Sequence, residues 1–431
     1  MQALLSFEQS PPLAAPARFF YTAPVFGLMA GGLLLIEGAD VFMSRWSPAA
    51  LALAHLLTVG FLTQVMLGAL IQVLPVVAGA NIERPNRVAT LVHAFLSSGT
   101  VFLAAGFWLS LPFLLHSGAV CLGLAVGLFL VAAGRSLRHV KSTSPTIRGI
   151  KLSLVGLAGL LWLGLFLVYG LAAGSRFSLP GLTDLHAVWG FAAWGGMLVM
   201  SMAYVVIPMF QLTPAYASRA AWRGTVWVLG LVLLWSLAFF LELSLLLGFA
   251  KLGLALSGLW FALWTLRLQS QRRRAKKDAH SAYWQLSMMS LIIACLMLLT
   301  AAGLPEVAAW AGWDFLLAVW LLPGVFISCI IGMLYKILPF LCWLHLQHEG
   351  RGKQAPHVNR LLPEVDAMRQ FRCHCLMLLL CLLAVFVPDY LAQPAGLGVM
   401  LSMGWLGWNL WRVLQRYRLF SQEVTEKPEG A

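Results

Sequence analysis

Residues 55–75 read HLLTVGFLTQVMLGALIQVLP, an apolar stretch without one Asp, Glu, Lys or Arg, opened by His55 and closed by Pro75. About 20 mainly apolar residues form a helix that crosses a bilayer. Two later stretches share the layout: HAVWGFAAWGGMLVMSMAYVVIP at 186–208 and GVFISCIIGMLYKILP at 324–339. With Pro75, Pro208 and Pro339 aligned, the position seven before each is Gly68, Ser201 or Gly332. Gly60 and Gly324 stand fifteen before, and Tyr204 and Tyr335 four before. The three prolines are almost evenly spaced along the chain, so one unit recurs per four helices. Small residues two turns apart let helices approach closely, and membrane folds often carry internal repeats. Chance would supply one such pair. Three copies at nearly constant spacing predict three quasi-equivalent units.

The remaining composition agrees. The chain has 431 residues, 60% hydrophobic and 10% charged, against roughly 25% charged in a soluble domain. That excludes a soluble enzyme, a disordered chain and a secreted disulfide scaffold. The net charge of +13 would suggest a nucleic-acid partner in a soluble protein. Here the basic residues lie between apolar runs, where they set membrane orientation, and no nucleic acid is expected. The seven cysteines (Cys121, Cys295, Cys329, Cys342, Cys373, Cys375, Cys381) fall mostly in apolar segments and give no disulfide framework. The N-terminal residues lack a basic region followed by an apolar core, so no cleaved signal peptide is expected.

Run length places twelve helices at about 21–38, 50–76, 88–111, 113–133, 152–173, 185–208, 222–241, 245–266, 284–303, 314–340, 372–388 and 393–412. Pro112 and Glu242 divide two nearly continuous runs. With the N-terminus cytoplasmic, 25 of the 29 Lys and Arg fall on the cytoplasmic side, the run 271–277 included. Arg45, Arg176 and Lys251 fall on the opposite side, and Lys336 inside a helix near its inner end, where it is expected to snorkel. The expectation is an all-α integral membrane protein, one transmembrane domain over 1–431, with both termini cytoplasmic. Its four-helix repeats cover about 21–135, 152–266 and 284–412, followed by a cytoplasmic tail at 413–431. The membrane expected is a bacterial-type inner membrane. Glu37, Glu242 and Asp184 sit near outer ends and no acid falls mid-membrane, which argues against a proton pump or a proton-coupled transporter.

His55 and His186 are the candidate ligands. Both sit about one turn inside the outer end of an inward-running helix, at the head of a repeat copy. A histidine at lipid depth needs a partner or a cofactor, and imidazoles on neighbouring helices are how bundles hold haem iron. Neutral imidazole also suits copper or zinc. The competing reading is a pair of interhelical hydrogen-bond donors. His116 shares their depth and is a candidate third ligand or supporting partner, or an interfacial histidine. His93 is placed to bond a neighbouring helix or a cofactor carboxylate. His139, His280, His345, His348 and His357 fall in cytoplasmic connections, and His374 starts the eleventh helix. The spacings C-x-x-H-x-x-H at Cys342–His348 and C-H-C at Cys373–Cys375 match no standard metal site. The methionines are scattered, as in core packing, and the tryptophans cluster near helix ends as interfacial anchors.

The helix count, the repeat and the histidines heading helices two and six resemble subunit I of the haem–copper oxidase superfamily. The pattern H-x-x-x-x-G…G-A-x-x-x-x-x-P reads here as His55, Gly60, Gly68, Ala69 and Pro75. NnrS-type membrane haem proteins look like cousins. The resemblance implies that His55 ligates a low-spin haem and that His186 takes the position of a copper ligand. It also implies histidines on helices seven and ten. Residues 222–241 and 314–340 contain none, and Val319 stands where His55 stands in the first copy. The oxygen-reducing centre of that family cannot be assembled here. One haem or one metal between helices two and six can.

The expected function is a haem-binding inner-membrane protein that handles a diatomic gas, nitric oxide or oxygen, or transfers electrons in the membrane. The cofactor expected is haem b near the outer face, with copper the other candidate. The expected partners are the lipid bilayer and cytochrome c or quinol with other respiratory subunits. The alternatives are a cofactor-free permease, and an assembly or partner subunit of a respiratory complex.

Overall fold

The computed structural model describes residues 9–173, 178–273, 278–347 and 357–425. Arg176, His348, the end of the basic run (274–277) and the last residues of the tail (426–431) lie outside the described residues. All regular structure among the described residues is helical, and eleven helices are long and apolar enough to cross a membrane. They are α1 Ala14–Met43, α2 Pro48–Ala78, α3 Pro85–Trp108, α4 Pro112–Leu137, α5 Pro145–Gly170 and α6 Leu179–Gln211. The series continues with α7 Ser218–Phe240, α8 Ser244–Ser270, α9 Ala279–Gly303, α10 Trp313–Leu346 and α11 Glu364–Ala384. A further long helix, α12 Pro388–Thr425, packs along α1 and α11. The chain is a multi-pass membrane protein.

Local chemistry explains the breaks. Pro112 opens α4, where its missing N–H costs nothing. Glu242 sits at φ 55° in the turn between α7 and α8. α2 runs past Pro75 and stops at Gly79, whose φ of 63° lets Ala80 N–H reach the Leu74 carbonyl at 3.0 Å.

α2, α6 and α10 form the inside of the bundle. Their apolar windows are 78%, 67% and 61% buried, above the 56% of α1 and the 22–39% of the other spans. Each contains one stretch of widened, π-type turns: Leu56–Thr63, Trp189–Gly196 and Trp320–Ile327. The three stretches open on Leu56, Trp189 and Trp320, each at the same distance before its proline, Pro75, Pro208 or Pro339. The spacing of the prolines is therefore also the spacing of the widened turns. A π-type turn inserts one residue and frees backbone groups, which need other partners. Ser328 Oγ donates to the Pro323 carbonyl at 2.8 Å, and Ser287 Oγ of α9 to the Val325 carbonyl at 2.8 Å. Gly156 of α5 packs on the second stretch so closely that a β-carbon there would lie 2.2 Å from the Ala193 oxygen.

Several boundaries differ from those expected. α10 continues past Pro339 to Leu346, so Cys342 and His345 are helical rather than in a connection. α11 begins at Glu364, ahead of the expected start at 372, so His374 lies within the helix and is fully buried. His280 is likewise buried, at the start of α9, where it bonds the Gly332 carbonyl at 3.0 Å. Lys336 reaches the N-terminal end of α9. Its ammonium pairs with Asp278 at 2.8 Å.

Candidate functional site

α2 and α6 bring their histidines together. The His55 and His186 ring centroids are 6.5 Å apart, with planes 25° from parallel. Both line one largely apolar cavity of about 1040 Å³ at the centre of the bundle. Counted back from the proline of its own helix, His186 stands two positions further out than His55. The two are therefore offset relative to their prolines.

The protonation of His55 follows from its contacts. Nδ1 lies 2.7 Å from the Leu51 carbonyl of the preceding turn, so it carries the proton and donates. That leaves the Nε2 lone pair free. His186 Nδ1 is buried and makes no hydrogen bond. The Leu160 carbonyl of α5 lies beside this ring. His55 Nε2 has no hydrogen-bond partner among the described residues. Phe107 packs beside His55 at 5.1 Å between centroids, and Gly164 leaves room for His186, since a β-carbon there would lie 3.1 Å from Cε1.

The spacing of the two rings is one that a pair of imidazoles sharing a metal would have. Imidazole nitrogens bind at about 2 Å, so two rings on opposite sides of one ion have centroids roughly 6 Å apart. A backbone carbonyl on Nδ1 is the usual device that aims Nε2 at a metal. No group of three His, Cys, Asp or Glu converges as a metal site among the described residues. Two nitrogen donors match the axial pair of a haem iron better than the three or four protein ligands of zinc or copper.

At one mouth of the cavity, Arg45 between α1 and α2 bridges two acids. Its Nη1 lies 2.9 Å from Asp184 of α6, and its Nε 3.3 Å from Asp314 of α10. The guanidinium also lies 4.5 Å from the centre of the Trp46 ring. The clamp ties the entrances of the inner helices together.

The other histidines are placed elsewhere. His116 is exposed on α4, bonds the Pro112 carbonyl at 2.6 Å, and is not part of the cavity wall. His93 bonds Thr22 of α1 at 2.8 Å, a neighbouring helix as expected. His374 lies 2.8 Å from Ser328 through Nε2 and 3.4 Å from Ser402 through Nδ1. Gln370 extends this network, donating to the Ser402 carbonyl at 3.1 Å and accepting from Tyr283. Tyr204 donates to the Ala221 carbonyl at 3.1 Å, and Tyr335 accepts from Asn409 at 3.0 Å. Both tyrosines join helices.

Compared with known proteins, the sequence matches no family model and no curated protein.

Proposed function

We propose that this protein holds one b-type haem between His55 and His186 and transfers electrons within the membrane. The observation that carries the reading is the pair of imidazoles on α2 and α6, 6.5 Å apart at one apolar cavity, with His55 Nε2 and His186 Nδ1 unbonded. When bound, the haem supplies one-electron redox chemistry. His55 and His186 would hold the haem, while the Leu51 carbonyl fixes the His55 tautomer and the apolar wall excludes water. Two imidazoles on one iron leave no open position for a gas, which favours electron transfer over handling nitric oxide or oxygen. A copper ion in place of haem needs ligands beyond these two.

The architecture proposed with it is the twelve-helix, three-repeat arrangement of subunit I of the haem–copper oxidases, with both termini cytoplasmic in a bacterial-type inner membrane. The equal spacing of the three widened segments supports the repeat. The distribution of Lys and Arg supports the orientation. Cytochrome c or quinol, with other respiratory subunits, are the proposed electron partners.

A second reading, a cofactor-free permease, draws on the same central cavity of about 1040 Å³. Chemical quantification of haem in the purified protein, beside His55→Ala and His186→Ala, separates the two. Haem near one per chain that is lost in either variant fits the first reading. Haem-free protein from haem-replete cells fits the second.

A further inference from the structure

The cavity extends past the histidine pair. Val228 and Trp235 of α7, Lys251 and Gly258 of α8, and Leu291 and Cys295 of α9 form this further wall. Lys251 is the one charged residue among them. It lies about two turns inside α8, which begins at Ser244. Its ammonium is 5.3 Å from the centre of the Trp235 ring. Among the described residues no carboxylate pairs with it, and the acids that line the same cavity mouth, Asp184 and Asp314, are both held by Arg45.

A lysine near a helix end usually turns its head to the interface. Here the side chain, though exposed, lines the cavity and lies over an aromatic ring of the adjacent helix, on the same wall. A cation inside a span that faces a cavity marks a ligand pathway or a missing counter-ion. Two requirements follow for whatever completes it. The charge calls for an anion. The surrounding Leu, Val and Phe side chains call for an apolar body attached to that anion.

We infer that Lys251 is the anion pole of a binding lobe for a carboxylate-bearing amphiphile, with the carboxylate on the ammonium and the apolar body against Leu254, Phe261 and Leu291. The carboxylate has two possible sources. One is a propionate of the haem, which rests on the function proposed above. The other is a fatty acid from the bilayer, which does not.

The test uses the purified full-length protein with Lys251→Gln and Lys251→Arg, each checked for a monodisperse peak. Binding of spin-labelled stearate is measured by electron paramagnetic resonance, with a spin-labelled stearylamine as the cationic control, and haem is quantified in parallel. The inference expects Lys251→Gln to weaken one carboxylate ligand by about tenfold and Lys251→Arg to retain it, with stearylamine not held by the wild type. Loss of stearate binding with haem unchanged assigns the bilayer source. Loss of haem with stearate unchanged assigns the propionate. Stearate and haem both unchanged in Lys251→Gln overturns the inference, as does a wild type that binds neither. A wild type that holds stearate through Lys251 but contains no haem leaves this site standing and removes the haem reading alone.

Discussion

His55 and His186 lie with their ring centroids 6.5 Å apart, on the two inner helices α2 and α6. His55 holds its proton on the Leu51 carbonyl and turns an unbonded Nε2 away from its own helix. A buried ring nitrogen without a hydrogen-bond partner, as His186 Nδ1 is, gains nothing from an apolar wall.

The space around His186 is expected to matter as much as the residue. A β-carbon at Gly164 would lie 3.1 Å from the His186 ring, and the further methyl groups of Gly164→Val cannot fit without moving it. Displaced supporting groups typically cost about 10- to 100-fold in metal affinity, and Gly164→Val is expected to weaken haem retention to that degree. Haem-to-protein ratio after dilution and gel filtration is the readout. Unchanged retention would remove His186 from the ligand pair.

His374 provides the contrast. Its ring nitrogens are both engaged, by Ser328 and Ser402, inside a network with Gln370 and Tyr283. His374→Ala leaves buried hydroxyls without that partner, at about 1–3 kcal/mol each. The expected result is a lowered unfolding temperature in detergent with haem content unchanged. Haem loss without loss of stability would move His374 into the site.

The widened turn of α6 depends on α5 coming close. Gly156→Val would drive carbon into the Ala193 carbonyl, where even a β-carbon would sit at 2.2 Å. Overpacking of this kind costs about 3 kcal/mol or more where backbone must move. Gly127→Ala on α4 is the control, since nothing lies within 4 Å of a β-carbon there, and it should be neutral or stabilise by up to about 1 kcal/mol. Thermal unfolding of the two variants side by side checks this. Equal midpoints would mean that the close contact of α5 with α6 carries no weight.

The Asp278–Lys336 pair gives stability a pH dependence. Burial alone would raise the Asp278 carboxyl, but Lys336 at 2.8 Å and the Ser281 N–H at 2.9 Å hold it down at about 2. A carboxyl depressed in the folded state stabilises above its unfolded pKa near 4, and that contribution is lost as pH falls toward 2. The amount is roughly 2–3 kcal/mol. Unfolding midpoints measured from pH 6 down to pH 2 should fall more steeply for the wild type than for Asp278→Asn. Parallel curves would contradict the ion pair's role. Lys336→Met should lower the midpoint at pH 6 by leaving Asp278 without its cation.

Much of the fold is legible in the sequence because bilayer thickness imposes run length. Each expected helix has a counterpart, and Glu242 and Pro112 do separate neighbours. Boundaries near charge are harder. Arg369 and Arg372 make residues 364–372 look like a connection, yet Pro363 with Glu364 and Asp366 in the first turn starts the helix there. Pro339 looks like a stop, but a proline late in a membrane helix is tolerated where neighbours satisfy the freed backbone. Position along the chain sets the depth of Lys251 and Lys336 but cannot reveal a facing ring or acid. The histidine pair is legible as two residues but not as a pair. Helices α2 and α6 are apolar all round, so no stripe tells which side faces inward. Only packing turns His55 and His186 to the same cavity and His116 away from it.

The most direct measurement is the reduced-minus-oxidised visible spectrum of the purified protein beside His55→Ala and His186→Ala. The account predicts a low-spin b-type spectrum that does not shift when carbon monoxide or nitric oxide is added, and its loss in both variants. A colourless protein from haem-replete cells, or a haem whose spectrum is the same in both variants, would contradict it.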